Sequence, residues 1–135
     1  MTSQERIIWR AGVILMATAV VLGAFGAHAV KSRVDPTALG WWETAASYHR
    51  THALGVLLLA ALYPRLSNAG QQRLDSAFKL FLAGFLFFSG SLYLMTLTQA
   101  RFLGAITPIG GTLWIVAWVF MLIALNSPST EEGSP

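Results

Sequence analysis

Cysteine is absent from this chain of 135 residues, and charged side chains are scarce. Without thiols there can be no disulfide, iron–sulfur cluster, thiolate zinc site or cysteine nucleophile, and cysteine use says nothing about the compartment. Charged residues make up 11% of the chain, against about 25% in soluble domains. The net charge of +3 is small, and the basic residues form no stripe of the kind that binds nucleic acid. These absences favour a membrane protein.

Catalytic motifs are missing as well. The sequence contains no G-x-S-x-G, H-E-x-x-H, Walker A or dinucleotide-binding pattern. Its carboxylates, including Asp35, Glu43 and Asp75, lie in loops or at the edges of apolar segments. We therefore expect no enzyme, and the sequence identifies no cofactor.

Long apolar runs fill the space between the few charges. A helix of about 20 residues crosses the hydrocarbon core of a bilayer, and four segments are long enough to do so. They cover residues 7–30, 45–63, 77–100 and 102–125. The sequence thus predicts an all-α, four-span transmembrane bundle as one domain, 1–125. Residues 126–135 are poor in apolar side chains and include two glutamates, which predicts a disordered acidic tail.

The stretch between the first two segments has the chemistry of a helix start. Asp35 is a suitable N-cap and Pro36 suits the first helical position. Trp41 and Trp42 are residues typical of the headgroup region. We expect a short interfacial helix here.

The beginning of the chain allows a second interpretation. Arg6 and Arg10 precede an apolar run that ends in Ala27–His28–Ala29, a pattern also typical of a cleaved signal peptide. Because the apolar run is longer than an ordinary signal core, a retained first span is favoured.

Basic residues at the segment ends indicate an orientation. Five lie on one side, Arg6, Arg10, Arg65, Arg73 and Lys79, and four on the other, Lys31, Arg33, Arg50 and Arg101. The positive-inside rule predicts a multi-pass protein of the inner (plasma) membrane with both termini in the cytoplasm.

Polar side chains gather in what would be the outer leaflet of such a bundle. The predicted pocket is lined by His28, Tyr48, His52, Ser89, Tyr93 and Thr107. Small residues that let helices approach closely are Gly12, Ala19, Gly23, Gly26, Gly84 and Ser91. We expect replacement of His28 or His52 by Ala to do more harm than replacement of His49.

Three functions are compatible with such a pocket. We favour a binding or interaction protein; the alternative is a small transporter or channel component, built from one chain or as an oligomer. Neutral imidazoles also bind zinc, copper and haem iron, so a histidine-ligated metal or haem protein stays open. The expected partners are the lipid bilayer and either a second copy of the chain or another membrane protein.

Four short motifs resemble a known family. They are LGAFGAH at 22–28, YHRTHAL at 48–54, FSGSLY at 88–93 and TPIGG at 107–111. Together they resemble the small membrane proteins of domain of unknown function 423, whose animal relatives are called transmembrane protein 256. The resemblance implies a four-helix inner-membrane protein and no particular activity. It also implies that His28 and His52 are the motif histidines, whereas His49 and Arg50 are local features.

Overall fold

Four helices make up the part of the chain that the computed structural model describes, residues 1–127, and that part contains no strand. The helices are α1 (Ser3–Val30), α2 (Pro36–Leu62), α3 (Asn68–Thr98) and α4 (Thr107–Leu125). The prediction of an all-α, four-helix fold is confirmed. The predicted tail lies outside the described residues from position 128 onward.

Side-chain caps fix where the first two helices begin. The Thr2 hydroxyl accepts from the Glu5 backbone N–H at 3.1 Å, and the Glu5 carboxylate accepts from the Thr2 N–H at 3.0 Å. An oxygen of Asp35 accepts from the Ala38 N–H at 3.0 Å, and Pro36 follows as the first helical residue. Because nothing then interrupts the helix before Leu62, the expected short interfacial helix does not exist separately. It is the first part of α2.

Two of the helices contain a wider, π-helical segment. In α1 the regular helix Ser3–Phe25 passes into a π-helix at Gly26–Val30, and in α3 the π-helix spans Phe85–Gly90. Such segments are rare and are frequent at functional sites. Both lie in the half of the bundle away from the N-terminus.

α1 packs antiparallel to α2 along a face of small residues. A Cβ at Gly12 would lie 2.6 Å from Leu57 Cδ2, and a Cβ at Gly26 would overlap the indole of Trp42. That indole N–H donates to the carbonyl of Leu22 at 2.9 Å. Close backbone approach and an interhelical hydrogen bond thus hold the first hairpin together.

α3 and α4 form the second hairpin in the same manner. A Cβ at Gly84 would overlap the indole of Trp114, and the Trp114 N–H donates to the carbonyl of Phe81 at 3.1 Å. Further along, the hydroxyls of Ser91 and Thr107 lie 2.7 Å apart. α2 joins the hairpins, since it packs on α1 and also on the second half of α3.

Polar contacts close the end of the bundle that carries the N-terminus, which we call the N-terminal end; the opposite end is the far end. The Gln4 amide donates to Asp75 at 2.9 Å, and the Tyr63 hydroxyl donates to the same carboxylate at 3.3 Å. Burial, together with the adjacent charge of Asp75, raises the pKa of Tyr63 to about 12, so the hydroxyl remains a donor. Ile8 packs beside them in the apolar core.

Three of the helices are long and apolar enough to cross a membrane. They are α1, α3, and α4 together with the turn that precedes it (Arg101–Leu125). α2 is about 40 Å long at 1.5 Å per residue, but its central residues Tyr48, His49, Arg50 and His52 make it less apolar. Its buried side chains are more numerous than those of α1. α2 is therefore the inner, polar helix of the bundle, and its neighbours present the apolar outer surface.

Candidate functional site

His49 lies at the centre of α2, with thirteen residues of the helix on either side of it. Its side chain is buried, with 6% of its surface exposed. Nδ1 lies 3.2 Å from the Tyr93 hydroxyl on α3, and Nε2 lies 3.4 Å from the Thr18 hydroxyl on α1. The imidazole therefore connects three helices.

Two further hydroxyl groups complete the polar contacts around His49. The Thr18 hydroxyl lies 2.9 Å from the backbone carbonyls of Ile14 and Leu15, one turn earlier on α1. The Ser89 hydroxyl, in the π-helical segment of α3, donates to the carbonyl of Ala45 at 2.9 Å. Thr18 and His49 lie about halfway along their helices, and Ser89 and Tyr93 lie in the second half of α3.

These side chains line a pocket of about 410 Å³ between α1, α2 and α3, a volume within the usual range for small-molecule sites. Its polar lining consists of Thr18, His49, Ser89 and Tyr93. The rest of the lining is formed by Leu15, Leu22, Leu82, Phe85, Leu86 and Gly90. Leu82 and Leu86 are 39% and 68% exposed, so the pocket reaches the outer surface between α1 and α3. It combines a polar floor of His49, Ser89 and Tyr93 with a mouth lined by these leucines and by the exposed Thr18.

The described lining of this pocket holds no charged side chain. Arg50, one residue after His49, is exposed, and its Nη1 lies 3.9 Å from the position of a Cβ on Gly23. Gly23 precedes the far end of α1, so the arginine side chain extends along the helix toward that end, as long basic side chains do in membranes. The pocket therefore holds polar groups in a mostly apolar lining, and none of its lining side chains is charged.

His52, one turn further along α2, lies in a different environment. Its ring stacks on Trp114 of α4, with centroids 3.7 Å apart and an interplanar angle of 8°. Tyr48 is parallel to the same ring at 5.9 Å. Nδ1 lies 2.8 Å from the Tyr48 carbonyl. His52 and Tyr48 thus belong to an aromatic contact between α2 and α4.

The six residues expected to share one pocket are therefore divided among four places. Ser89 and Tyr93 line the pocket, whereas His52 and Tyr48 stack against α4. Thr107 pairs with Ser91 between α3 and α4. His28 is exposed. This corrects the expected grouping, because the face of α1 that packs on α2 is the glycine face, from which His28 points away.

Two polar lining residues, His49 and Thr18, were not among the predicted ones. The sequence does place His49 only about 60° from His52 around α2, but the resemblance to the family favoured His52. Thr18 is the only hydroxyl in the apolar run of residues 11–30, and that isolation is the signal that could have singled it out. Within residues 1–127, no three His, Asp or Glu side chains come together as a metal site would require.

The helix-packing residues occupy the contacts described above, with one at an edge. Gly12, Ala19 and Gly26 are buried on the α2-facing side of α1, and Gly84 and Ser91 are buried toward α4. Gly23 is half-buried, since Arg50 extends beside it.

Residues 22–111 match the family model described as "Protein of unknown function (DUF423)". The chain belongs to the DUF423 family. It is 42% identical to UPF0382 membrane protein YwdK of Bacillus subtilis (strain 168) over 84% of this chain and 90% of that protein. It is 40% identical to UPF0382 membrane protein SAB0533 of Staphylococcus aureus (strain bovine RF122 / ET3-1), over 84% and 89% of the two chains.

Both relatives are named membrane proteins, and three helices of this DUF423 chain are long and apolar enough to cross a membrane. Together these two findings identify the chain as a membrane protein. No solved structure matches it. The matched range includes His49, His52, Ser89 and Tyr93, and it begins after Thr18.

Proposed function

We propose that this DUF423 protein is a binding protein of the inner membrane, and that it takes an uncharged amphiphile from the bilayer into the pocket between α1, α2 and α3. The observation that carries this proposal is the polar floor formed by His49, Ser89 and Tyr93, with Thr18 at its exposed edge, behind a mouth that is mostly apolar. An amphiphile has the matching distribution, with one polar group and an apolar chain.

The depth of the pocket supports a ligand that arrives through lipid. His49 is about 20 Å from either end of α2, at 1.5 Å per residue. The exposed side chains at the mouth are Leu82 and Leu86, which contact lipid tails favourably, and Thr18, whose hydroxyl is bonded to its own helix. A water-soluble ligand would have to leave water before it reached this opening.

Transport through a single chain is the alternative, and the packing supports it less. Between the pocket and the polar contacts of Asp75, the fully buried side chains include Ile8, Val56, Leu59, Leu74 and Phe81. These apolar groups offer no partner for a polar substrate. Binding without passage is the function that the geometry favours, and we propose no catalytic step.

Co-purified small molecules test the proposal. Wild-type protein, Leu82→Trp and Leu94→Trp would be purified from membranes in mild detergent, and the retained lipids quantified by mass spectrometry. Leu82 lines the pocket, whereas Leu94 lies on the same helix and is similarly exposed, but does not line it. We expect an amphiphile enriched with wild type and Leu94→Trp and lost from Leu82→Trp. Equal lipid contents in all three would contradict the proposal.

The orientation is proposed on charge. Arg6, Arg65, Arg73 and other basic residues lie near the N-terminal end, and Arg50 is within a helix and adds little to the opposite side. We propose that the N-terminal end faces the cytoplasm. Since the chain has no cysteine, a single cysteine at Ser3 or Ser32 can be tested with an impermeant maleimide in intact cells. Labelling at Ser3→Cys without labelling at Ser32→Cys would overturn this orientation.

A further inference from the structure

The hydrogen bonds around His49 specify which protons the pocket can offer. A neutral imidazole has one N–H and one bare nitrogen, so it donates once and accepts once. The three protons to be placed are those of the Tyr93 hydroxyl, the His49 ring and the Thr18 hydroxyl. Their possible acceptors lie at 3.2 Å, 3.4 Å and 2.9 Å along one line from α3 through α2 to α1.

One order of donors satisfies all three protons. Tyr93 donates to Nδ1 of His49, Nε2–H of His49 donates to the Thr18 oxygen, and Thr18 donates to the carbonyls of its own helix. In the opposite order Thr18 would donate to Nε2 and Nδ1–H to Tyr93, which would leave the Tyr93 proton without an acceptor among these groups. The first order also uses the shorter of the Thr18 contacts. It is therefore the order of lower free energy.

The fourth polar side chain, Ser89, also donates its hydrogen bond within the protein. Ser89 lies 2.9 Å from the Ala45 carbonyl, which can only accept, so the serine hydroxyl must donate. Each O–H and N–H of the polar lining is then used within the protein. What is left for a ligand is oxygen lone pairs on Tyr93, Ser89 and Thr18, and no charged side chain lines the pocket.

We infer that the polar group of the bound amphiphile is a hydrogen-bond donor without charge, a hydroxyl, which donates to the Tyr93 oxygen. This inference rests on the proposed function and adds the chemistry of the ligand. A carboxylate would find neither a free donor nor a cation among the side chains that line the pocket. An ammonium group would find acceptors but no carboxylate to compensate its lost hydration.

Three matched probes test the inference on the wild-type chain in phosphatidylcholine vesicles. Each is a diazirine-bearing chain of the same length that ends in a hydroxyl, in its methyl ether or in a primary amine. Labelling would be followed against the mole fraction of probe in the bilayer and mapped to residues 82–93. We expect the alcohol to reach half-saturation at about a tenfold lower mole fraction than the ether, because the ether has lost the donor. Ser91→Ala, whose hydroxyl pairs with Thr107 outside this pocket, should keep the same preference.

Each other outcome has a definite meaning. Equal labelling by alcohol and ether, or stronger labelling by the ether or the amine, would overturn the hydroxyl inference and leave the proposed pocket standing. Labelling by none of the three, or labelling that does not saturate, would overturn the proposed function as well.

Nitrogen-15 NMR of the imidazoles provides a second measurement that needs no ligand. The donor order requires the proton of His49 on Nε2, whereas His52 must carry its proton on Nδ1, since that atom faces the Tyr48 carbonyl at 2.8 Å. The two histidines should therefore be opposite tautomers, assigned with His49→Gln and His52→Gln. A proton on Nδ1 of His49 in the ligand-free protein would overturn the inference.

Discussion

His49 and His52 are one turn apart on the same helix and equally buried, at 6% and 7% exposed, yet their surroundings differ. His49 uses both ring nitrogens for bonds to other helices, and the neighbouring rings of Phe85 and Tyr93 are inclined to it by 64° and 62°. His52 uses one nitrogen within its own helix, and its face stacks on Trp114. A histidine can thus be a polar connector or an aromatic packing group, and burial alone does not distinguish the two.

The largest effect should come from removing the stacking partner of His52. Trp114→Ala would leave a cavity in the core and remove the hydrogen bond to the Phe81 carbonyl. We expect the free energy of unfolding to fall by about 3 kcal/mol, near the low end for such a change because lipid and not water is the reference. Unfolding in mixed micelles would measure it. Trp9→Ala, at a 37% exposed position, is the control, and an equal loss there would show that Trp114 has no special role.

Replacing each histidine by phenylalanine should have a smaller effect on the free energy of unfolding, but one that differs between the two positions. Both His49→Phe and His52→Phe enlarge a buried ring, but only the first removes two interhelical partners and leaves Tyr93 unpaired. We expect His49→Phe to be less stable than His52→Phe by about 1–2 kcal/mol. The same unfolding measurement applies. A difference of the opposite sign would reverse the roles assigned to the two rings.

His28→Ala should have the smallest effect. The residue is exposed near the far end of α1, and surface substitutions of this kind usually change stability by less than about 0.5 kcal/mol. Retention of the co-purified amphiphile should also be unchanged. A loss of ligand in His28→Ala would show that the pocket extends to this residue and would restore the grouping expected from the sequence.

Helix positions could be predicted from the sequence because lipid imposes a simple rule on length and apolarity. The cap at Asp35 could also be predicted, because capping depends only on neighbouring residues in the sequence. The start of α3 at Asn68 was missed, since its first residues are polar and belong to the N-terminal end, where apolarity carries no signal. Local rules thus predict the apolar part of a helix better than a polar end that extends beyond it.

The pocket was harder to predict because it depends on which faces of the helices meet. The glycine face of α1 was visible in the sequence, and it placed His28 on the other side. The position of Ser89 relative to Ser91 depends on the π-helical segment Phe85–Gly90, which shifts the face by part of a turn and leaves no clear trace in the sequence. His49 could be recognised from its small angular distance to His52 around α2, but its partners on α1 and α3 could not be predicted.

The polarity of α2 has a consequence for how the protein is made. An arginine at the centre of a span costs about 2.5–3.5 kcal/mol on insertion, and α2 carries Arg50 beside two histidines. On its own, this helix is a poor substrate for the translocon. α1 is synthesised first and offers the Leu22 carbonyl and the Thr18 hydroxyl to the polar groups of α2. The two helices should therefore leave the translocon as a pair, with α1 acting as an intramolecular chaperone for its successor.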